Sequence, residues 1–478
     1  MVNEVSQILV SSAPQVVLVV TCLWILLLAA ASKGLARHSA FASTIVGLFL
    51  SFLLIVLSWG RSVSAPMIRL DHFSLSFQAL TVIGALLTIL LSWEFLRDEG
   101  LMGRLAEYCA LLLLACVGAM FLVSATDLVT LFLSLDTLSL ALYVLAGYAS
   151  HRPYPTEAAL KYLLLGAMAS AFLAYGIAFL YGATGTTDIF QIATGLKDPS
   201  VYGSIGAGLF LIGLFFKIAF VPFHQWAPDV YEGSVTPVAA FMTTVPKVAA
   251  LGAFFRVFSV ALEETSVGRL STEVLVLVSF LTMTLGNLSA LPQTSVKRML
   301  AYSSIAHAGY MALALLSKTK EAAVALFFYG LSYTLMTVGA FAVTQMVEEK
   351  GGRPATWQEL TGLAYRDSVL GFCMAIFMAG LTGIPFTAGF WAKVIVFKVA
   401  LEAQYVGLVV VAVLNTVVSA YYYLRIVWSL YETRNPSSAK EIRLWSGVKA
   451  LILLCALWVL ILGIVPALVL NLPNLALF

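Results

Sequence analysis

Fourteen long apolar runs, separated by short connections, constrain this chain more than any other feature of its sequence. A helix needs about 20 mostly apolar residues to cross the hydrocarbon core of a bilayer. Inside a bilayer the backbone must satisfy its own hydrogen bonds, so runs of this length predict helices. The runs are 8–31, 40–59, 73–93, 105–124, 128–148, 158–182, 204–223, 237–258, 274–291, 299–316, 322–346, 370–397, 405–430 and 450–470.

The composition supports an all-α polytopic membrane protein without cofactors of its own. Only 11% of the residues are charged, whereas soluble domains carry about 25%. The net charge of +3 includes no basic run, which argues against a nucleic-acid partner. The five cysteines lie in apolar runs without a CxxC pair, and no glycine motif follows a strand, so we expect no metal, disulfide or nucleotide site.

Lysine and arginine residues in the loops predict the orientation, because cytoplasmic loops carry the excess of positive charge. Loops after odd-numbered spans hold sixteen of these residues, and loops after even-numbered spans hold eight. The bias places both termini on the periplasmic side of a bacterial inner membrane. No Lys or Arg precedes the first apolar run, so we expect no cleaved signal peptide. The charged connections 348–367 and 432–449 are expected to carry short surface helices.

The stretch 209–247 carries the first indication of function. Lys217 lies in an apolar run that Pro222 interrupts, and Lys247 directly follows Pro246 in the next run. A charge at the centre of a spanning helix costs about 2.5–3.5 kcal/mol on insertion scales, so such residues mark functional sites. Broken helices at membrane depth occur where the freed backbone meets protein or water. We therefore predict helix breaks at both prolines, and a third at Pro385.

An internal repeat relates two parts of the chain. Glu157 and Gly166 of the sixth span recur as Glu321 and Gly330 of the eleventh, at the same offset of 164 residues. A Pro-Phe pair followed by Trp-Ala occurs at 222–227 and again at 385–392. Each copy is a block of five spans, and an odd number of spans inverts the second copy in the membrane, as in many transporters. The predicted division is 1–104, three N-terminal helices; 105–262, the first repeat; 263–431, the second repeat; and 432–478, a loop and the last helix.

Asp136 lies in the middle of the fifth span without a neutralising neighbour in sequence. We expect Lys217 to be its partner, because an isolated carboxyl at this depth would otherwise be neutral. A pair that separates and re-forms would be a switchable proton site. The alternative is a static ion pair that fixes the packing of two helices.

Other titratable residues lie in or beside the spans. His224 follows Lys217 by about two turns, so the two share a face if the helix continues; it is either a relay or an ordinary histidine near a helix end. His307 lies among serines and Tyr310, which indicates a water-lined path or interhelical hydrogen bonds. Lys393 follows the predicted break at Pro385 without a neighbouring acid. Lys161 either approaches Lys217 or extends its amine to the interface.

Together these residues predict a row of titratable groups across the membrane plane. Its members are Asp136, Lys217, Lys247, His307 and Lys393, with His224 and Lys161 beside it. Three lysines and one acid within spans are more than helix packing requires. Protons would enter through one repeat and leave through its inverted copy.

Several segments resemble the antiporter-like membrane subunits of respiratory complex I, most of all the N-type subunit. They are EAALKYLLLGAMASAFLAYGIAFLYGATGT, FFKIAFVPFHQWAPDVYEGSVTPVAAFMTTVPK, KRMLAYSSIAHAGYM and GIPFTAGFWAK. The resemblance implies a fourteen-helix proton-pumping module of NADH:quinone oxidoreductase with two inverted five-helix repeats. It places the family's essential lysines at Lys217, Lys247 and Lys393, and its sixth-helix lysine at Lys161. The fifth-helix acid, usually glutamate, is the shorter Asp136.

The resemblance also implies where the redox chemistry lies. NADH, FMN, iron–sulfur clusters and quinone belong to partner subunits, and the chain contacts neighbouring antiporter-like subunits and the lipid bilayer. Since the sequence ends shortly after the last span, we expect no long lateral helix. Three other interpretations stay open: a subunit of a multi-subunit cation/proton antiporter, a scaffold whose charges hold subunits together, and a hydrogenase or photosynthetic relative of complex I.

Overall fold

The computed structural model describes residues 2–31, 36–151, 153–196, 201–261, 266–348, 354–433 and 446–471, and these are almost entirely helical. In the first half the α-helices are α1 Val2–Ser11, α2 Ala13–Ala31, α3 Ala36–Leu57, α4 His72–Asp98, α5 Leu105–Ser124, α6 Leu128–Ala146, α7 Pro153–Thr184, α8 Ile189–Gly195, α9 Val201–Ile218 and α10 Trp226–Gly233. In the second half they are α11 Thr236–Val260, α12 Ser266–Ala290, α13 Val296–Leu315, α14 Lys320–Val347, α15 Leu363–Arg366, α16 Ser368–Thr382, α17 Ala388–Glu402, α18 Val406–Leu430, α19 Ser446–Ile464 and α20 Ala467–Leu470.

Short elements complete the described chain. Strands β1 Val63–Ser64 and β2 Arg69–Leu70 form an antiparallel hairpin in which Val63 pairs with Leu70. Short 3₁₀ helices lie at Leu101–Arg104 and Trp357–Leu360. The second of these, with α15, confirms the surface helices expected in 348–367. Most of the other charged connection, 434–445, lies outside the described residues.

Twelve of the described helices are long and apolar enough to cross a membrane. They correspond to twelve of the fourteen predicted runs, so the prediction of an all-α polytopic membrane protein is confirmed. The tenth run is α13, which carries Lys297, Arg298 and His307 and is therefore less apolar. The twelfth is divided into α16 and α17, neither of which is long enough alone.

Helices α11 and α14 form the centre of the molecule. All of the apolar window of α11 is buried, and so is 89% of that of α14, against 28% for α2 and 33% for α7. Helix α11 contacts α4, α5, α9, α13 and α14. Its titratable residues, Lys247 and Arg256, are therefore buried within the protein. The division into two five-helix repeats stays a prediction.

The predicted breaks at Pro222 and Pro385 are confirmed. Helix α9 ends at Ile218 and α10 begins at Trp226, while α16 ends at Thr382 and α17 begins at Ala388. The tryptophan after each break anchors the new segment. Trp226 Nε1 donates to the carbonyl of Phe216 at 3.1 Å, and Trp391 Nε1 donates to that of Gly463 at 3.0 Å.

The predicted break at Pro246 is wrong, because α11 continues through the proline. A proline inside a helix has no N–H for the carbonyl four residues earlier, here that of Met242. The Tyr231 hydroxyl donates to this carbonyl at 3.3 Å. An outside donor thus replaces the missing backbone bond, and the helix continues.

Candidate functional site

Lys217 lies in the last turn of α9, with its side chain 4% exposed. Its Nζ donates to the hydroxyl of Ser139 at 2.8 Å and to that of Tyr162 at 3.3 Å. Within the described part of the chain it forms no ion pair. The ammonium is therefore held by neutral oxygen atoms of α6 and α7.

The predicted ion pair between Asp136 and Lys217 is not formed. Asp136 is half-buried, and its carboxylate accepts a hydrogen bond from the Ser170 hydroxyl at 2.7 Å. Ser139, three residues further along α6, accepts the hydrogen bond from Lys217 instead. Positions three apart are neighbours on a helix surface, so the acid stays close to Lys217 without contacting it. A further methylene, as in glutamate, would extend the carboxylate.

His224 and Lys161 also differ from their predicted positions. Helix α9 stops before His224, which lies in the turn before α10, so it does not share a helical face with Lys217. Lys161 does not approach Lys217 either. Its Nζ forms ion pairs with Asp229 and Glu157, both at 2.8 Å, near the N-terminal end of α7. The adjacent residue, Tyr162, is the one that contacts Lys217.

Lys247 is 1% exposed at the centre of α11. Its Nζ donates to both the carbonyl and the hydroxyl of Ser304, each at 2.8 Å. It also lies 6.0 Å from the ring centroid of Tyr231. The serine of the polar stretch in α13 thus holds this lysine, rather than carbonyls freed by Pro246.

His307 lies one turn beyond Ser304 in α13 and is 2% exposed. Its Nδ1 is 2.8 Å from the Tyr329 hydroxyl, and its Nε2 is 3.2 Å from that of Tyr423. Tyr423 also hydrogen-bonds Ser303. Hydroxyl groups on both sides of the ring can accept and donate protons, as a relay requires.

Lys393 lies in α17, facing the end of α16. Its Nζ donates to the carbonyl of Thr382 at 2.8 Å and lies 5.0 Å from the ring centroid of Tyr310. The Thr382 carbonyl is available because α16 ends there, with Gly383 at a φ of 92°. The third buried lysine is therefore held by a carbonyl that the helix break exposes.

The three lysines share one electrostatic feature. Each is buried, each donates only to neutral oxygen atoms, and none forms an ion pair among the described residues. Burial without a counter-ion favours the neutral amine over the ammonium. Buried lysines of this kind serve as general bases in enzymes.

Aromatic residues connect the first two lysines. Tyr162, which contacts Lys217, stacks on Trp226 with ring centroids 4.6 Å apart. Trp226 lies 5.5 Å from Tyr231, which faces Lys247. Tyr162 and Tyr231 are not among the residues predicted from the sequence. A tyrosine inside an apolar run is nevertheless a signal, since its hydroxyl needs a partner when buried.

The second half of the row is equally continuous. Ser304 binds Lys247, and His307 follows one turn later in α13. The His307 ring lies 5.8 Å from that of Tyr310, which faces Lys393. The structure therefore brings together Lys217, Lys247, His307 and Lys393 by contacts, with Asp136 beside the first.

A cavity of about 320 Å³ lies at the N-terminal end of α7. Ion pairs surround it: Asp229 binds Lys161 and Arg298, both at 2.8 Å, and Arg298 also binds Glu232 at 2.9 Å. Lys161 and Arg298 belong to the loops that carry the excess of positive charge. The cavity is therefore at the face that the sequence predicts to be cytoplasmic.

Comparisons with known proteins decide the family. The family described as "NADH:quinone oxidoreductase/Mrp antiporter, TM" matches residues 125–419. A curated relative, NADH-quinone oxidoreductase subunit N of Trichlorobacter lovleyi, is 40% identical over 423 residues, which are 87% of this chain and 86% of the relative. The chain belongs to this family. The resemblance to the N-type membrane subunit is thereby confirmed.

Solved structures of the family share the fold. A chain of respiratory complex I from Thermus thermophilus superposes with a TM-score of 0.84 at 37% identity, covering 96% of this chain and 98% of that one. A chain of the Mrp complex from a Dietzia species has a TM-score of 0.83 at 22% identity, with 96% of each chain covered. The second likeness concerns the fold alone.

Proposed function

We propose that this chain is a proton-translocating subunit, without redox centres, of a membrane-bound NADH:quinone oxidoreductase. Its relatives are named NADH-quinone oxidoreductase subunit N. In this proposal NADH, FMN, iron–sulfur clusters and quinone belong to partner subunits. Neighbouring antiporter-like subunits and lipid surround it. The observation that carries the proposal is the continuous row of buried lysines without counter-ions, linked by hydroxyl and aromatic groups from Lys217 to Lys393.

The residues have distinct roles in this proposal. Lys217, Lys247 and Lys393 hold and release protons, and His307 passes them between hydroxyl groups. Asp136 biases the charge of Lys217 from its position near Ser139 on α6. Lys161 and His224 lie outside the row: the first at its cytoplasmic mouth, the second in the turn after α9. With both termini periplasmic, the chain moves protons from the cytoplasmic face to the periplasmic face through 105–262 and 263–431.

Alanine variants in the intact complex test the proposal. Lys217→Ala and Lys247→Ala remove an ammonium at mid-depth, while Lys320→Ala removes one from the exposed start of α14 and is the control. We expect the first two to reduce proton translocation by roughly 10²-fold, the lower end of what a positioned proton-transfer group contributes. Quinone reduction falls with it, and the amount of assembled complex stays that of the control.

The scaffold and antiporter interpretations predict other outcomes for the same variants. A scaffold loses assembled complex in the lysine variants, and what assembles pumps normally. A cation/proton antiporter, which the description of the family also names, exchanges sodium for protons in vesicles without NADH. Full pumping by both lysine variants contradicts the site assignment.

A further inference from the structure

Two charged residues near the cytoplasmic cavity are buried and have no part in the row described above. Lys297, in the first turn of α13, has a side chain 5% exposed, and Glu348, at the end of α14, has one 9% exposed. Their Nζ and Oε1 atoms are 3.7 Å apart. This distance is too long for a direct hydrogen bond. The two groups are therefore close enough for electrostatic attraction, but they are not joined by a direct hydrogen bond.

Other hydrogen bonds hold both members of the pair but leave one carboxylate oxygen without a donor. Lys297 Nζ donates to the Ser234 carbonyl at 2.6 Å and to the Thr236 hydroxyl at 3.3 Å. That hydroxyl donates in turn to Glu348 Oε2. Oε1 of Glu348 accepts no hydrogen bond from the residues that the structure describes. A buried carboxylate oxygen without a donor is costly, so a function is expected of it.

Space for water lies beside this oxygen. Glu348, Lys297 and Thr236 line a cavity of about 20 Å³, and one water molecule needs about 10–15 Å³. Gly233 lines both this cavity and the 320 Å³ cavity at the cytoplasmic face. The small cavity is therefore adjacent to the large one.

The same pair adjoins the row on its inner side. Ser234, which binds Lys297, directly follows α10, and Tyr231 of α10 faces Lys247. Along α13, two turns or roughly 10 Å separate Lys297 from Ser304, which also binds Lys247. The pair thus lies between the cytoplasmic cavity and the central lysine.

We propose that Lys297 and Glu348 carry protons from the cytoplasmic cavity to Lys247. The inference rests on the proposed proton-translocating function and adds the uptake step. A hydronium ion in the small cavity gives its proton to the Glu348 carboxylate and leaves as water. The Lys297 ammonium, now without a counter-ion, gives one proton through water to the neutral amine of Lys247. The Glu348 carboxyl then reprotonates Lys297, which restores the pair and completes the transfer of one proton.

Charge-conserving variants separate transport from structure. Lys297→Arg keeps the positive charge and the attraction to Glu348, but a guanidinium does not release a proton. Glu348→Gln keeps an acceptor for Thr236 but no titrating group, and Glu348→Asp restores one. The matched controls are Glu321→Gln and Lys320→Arg at the exposed start of α14.

The intact complex in proteoliposomes is assayed for proton translocation per NADH oxidised, in H₂O and in D₂O. We expect Lys297→Arg and Glu348→Gln to lose proton translocation at least tenfold while assembling like the controls. Glu348→Asp retains it, with a larger loss of rate in D₂O than the parent shows, because the longer transfer becomes rate-limiting. A residue with a purely structural role would not change the isotope effect.

Other outcomes overturn the inference and identify what failed. If both charge-conserving variants pump normally while Lys247→Ala does not, the uptake step is wrong and the proposed function stands. If Lys247→Ala also pumps normally, both are wrong. If Glu348→Gln fails to assemble, Lys297→Arg decides: normal pumping by that variant makes the pair a structural contact.

Discussion

Neutral oxygen atoms hold the buried ammonium groups of this chain. Lys217 has two hydroxyls, Lys247 a hydroxyl and a carbonyl, and Lys393 one carbonyl and a tyrosine ring. A carboxylate in direct contact would fix the charge, because removing one member of a buried ion pair costs about 3–5 kcal/mol. Hydroxyl and carbonyl partners stabilise the ammonium, but they do not prevent the lysine from losing a proton to become a neutral amine. Each lysine can therefore be charged in one step and neutral in the next.

Asp136 provides a test at the level of single residues. It lies near Lys217 without contacting it, so we expect its charge, rather than its shape, to matter. Asp136→Asn keeps the acceptor for Ser170 and should reduce proton uptake by vesicles during NADH oxidation, by roughly tenfold or more. Asp136→Glu should retain uptake, and Thr137→Val, an exposed neighbour, is the control.

Normal uptake by Asp136→Asn would show that Asp136 is not part of proton translocation.

The expected ion pair with Lys217 could be proposed from the sequence only because both residues are ionisable and buried in long runs. The pairing failed because Ser139, a less conspicuous residue on the same helix, lies closer to the lysine. Charge identifies the participants, whereas their contacts depend on side-chain direction, which apolar periodicity does not specify.

The three prolines show how one residue type acts differently in different elements. Near Pro222 the helix ends at Ile218, and Ala219 follows with a φ of 64°. Before Pro385 the helix ends at Thr382, and Gly383 follows with a φ of 92°. A residue in the left-handed conformation turns the backbone so that following N–H groups can bond the last carbonyls of the helix, and the helix ends there. Pro246 has no such residue before it, and Tyr231 satisfies the carbonyl it leaves free. The sequence therefore locates the prolines, but the fold decides which of them breaks a helix.

The role of Tyr231 predicts a coupling between two substitutions. Tyr231→Phe leaves the Met242 carbonyl without its donor and should destabilise the complex by about 1–3 kcal/mol. In a Pro246→Ala background the alanine N–H can bond that carbonyl, so the same substitution should cost less. The difference is measured as a double-mutant cycle of thermal unfolding in lipid nanodiscs.

Tyr202→Phe, on an exposed tyrosine of α9, is the control for the loss of a hydroxyl. Equal costs of Tyr231→Phe in the two backgrounds would contradict the account of the proline. They would mean that the hydroxyl stabilises α11 by some other contact.

At the scale of the whole molecule, a buried ion pair ties the N-terminal helices to the central one. Arg256, 1% exposed near the end of α11, binds both oxygens of Asp71 at 2.9 Å. Asp71 also caps α4 through the backbone N–H of Ser74. The fourteen runs predicted the helices, but they did not indicate which helix is central or which ion pair joins α11 to α4.

Removing one member of this pair should destabilise the assembly. Arg256→Met removes the cation closest to the buried carboxylate of Asp71 and leaves only Arg69, whose Nε is 3.8 Å away. The expected cost is therefore up to about 3–5 kcal/mol. The double variant with Asp71→Asn should recover part of that loss. Thermal unfolding of the complex measures both, with the exposed Arg61→Met as control; an Arg256→Met complex as stable as the control would contradict the assignment.

In the proposed function, protons pass through Lys247, where the two halves of the row meet. Lys247→Arg tests it most directly, because arginine keeps the charge and the donors to Ser304 but does not release a proton. Proton translocation per NADH is measured in proteoliposomes containing the assembled complex, with Lys320→Arg as control. We expect Lys247→Arg to assemble and to translocate at least tenfold fewer protons, as Lys247→Ala does. Translocation at the parent's rate would contradict this expectation, because a fixed charge would then suffice at this position.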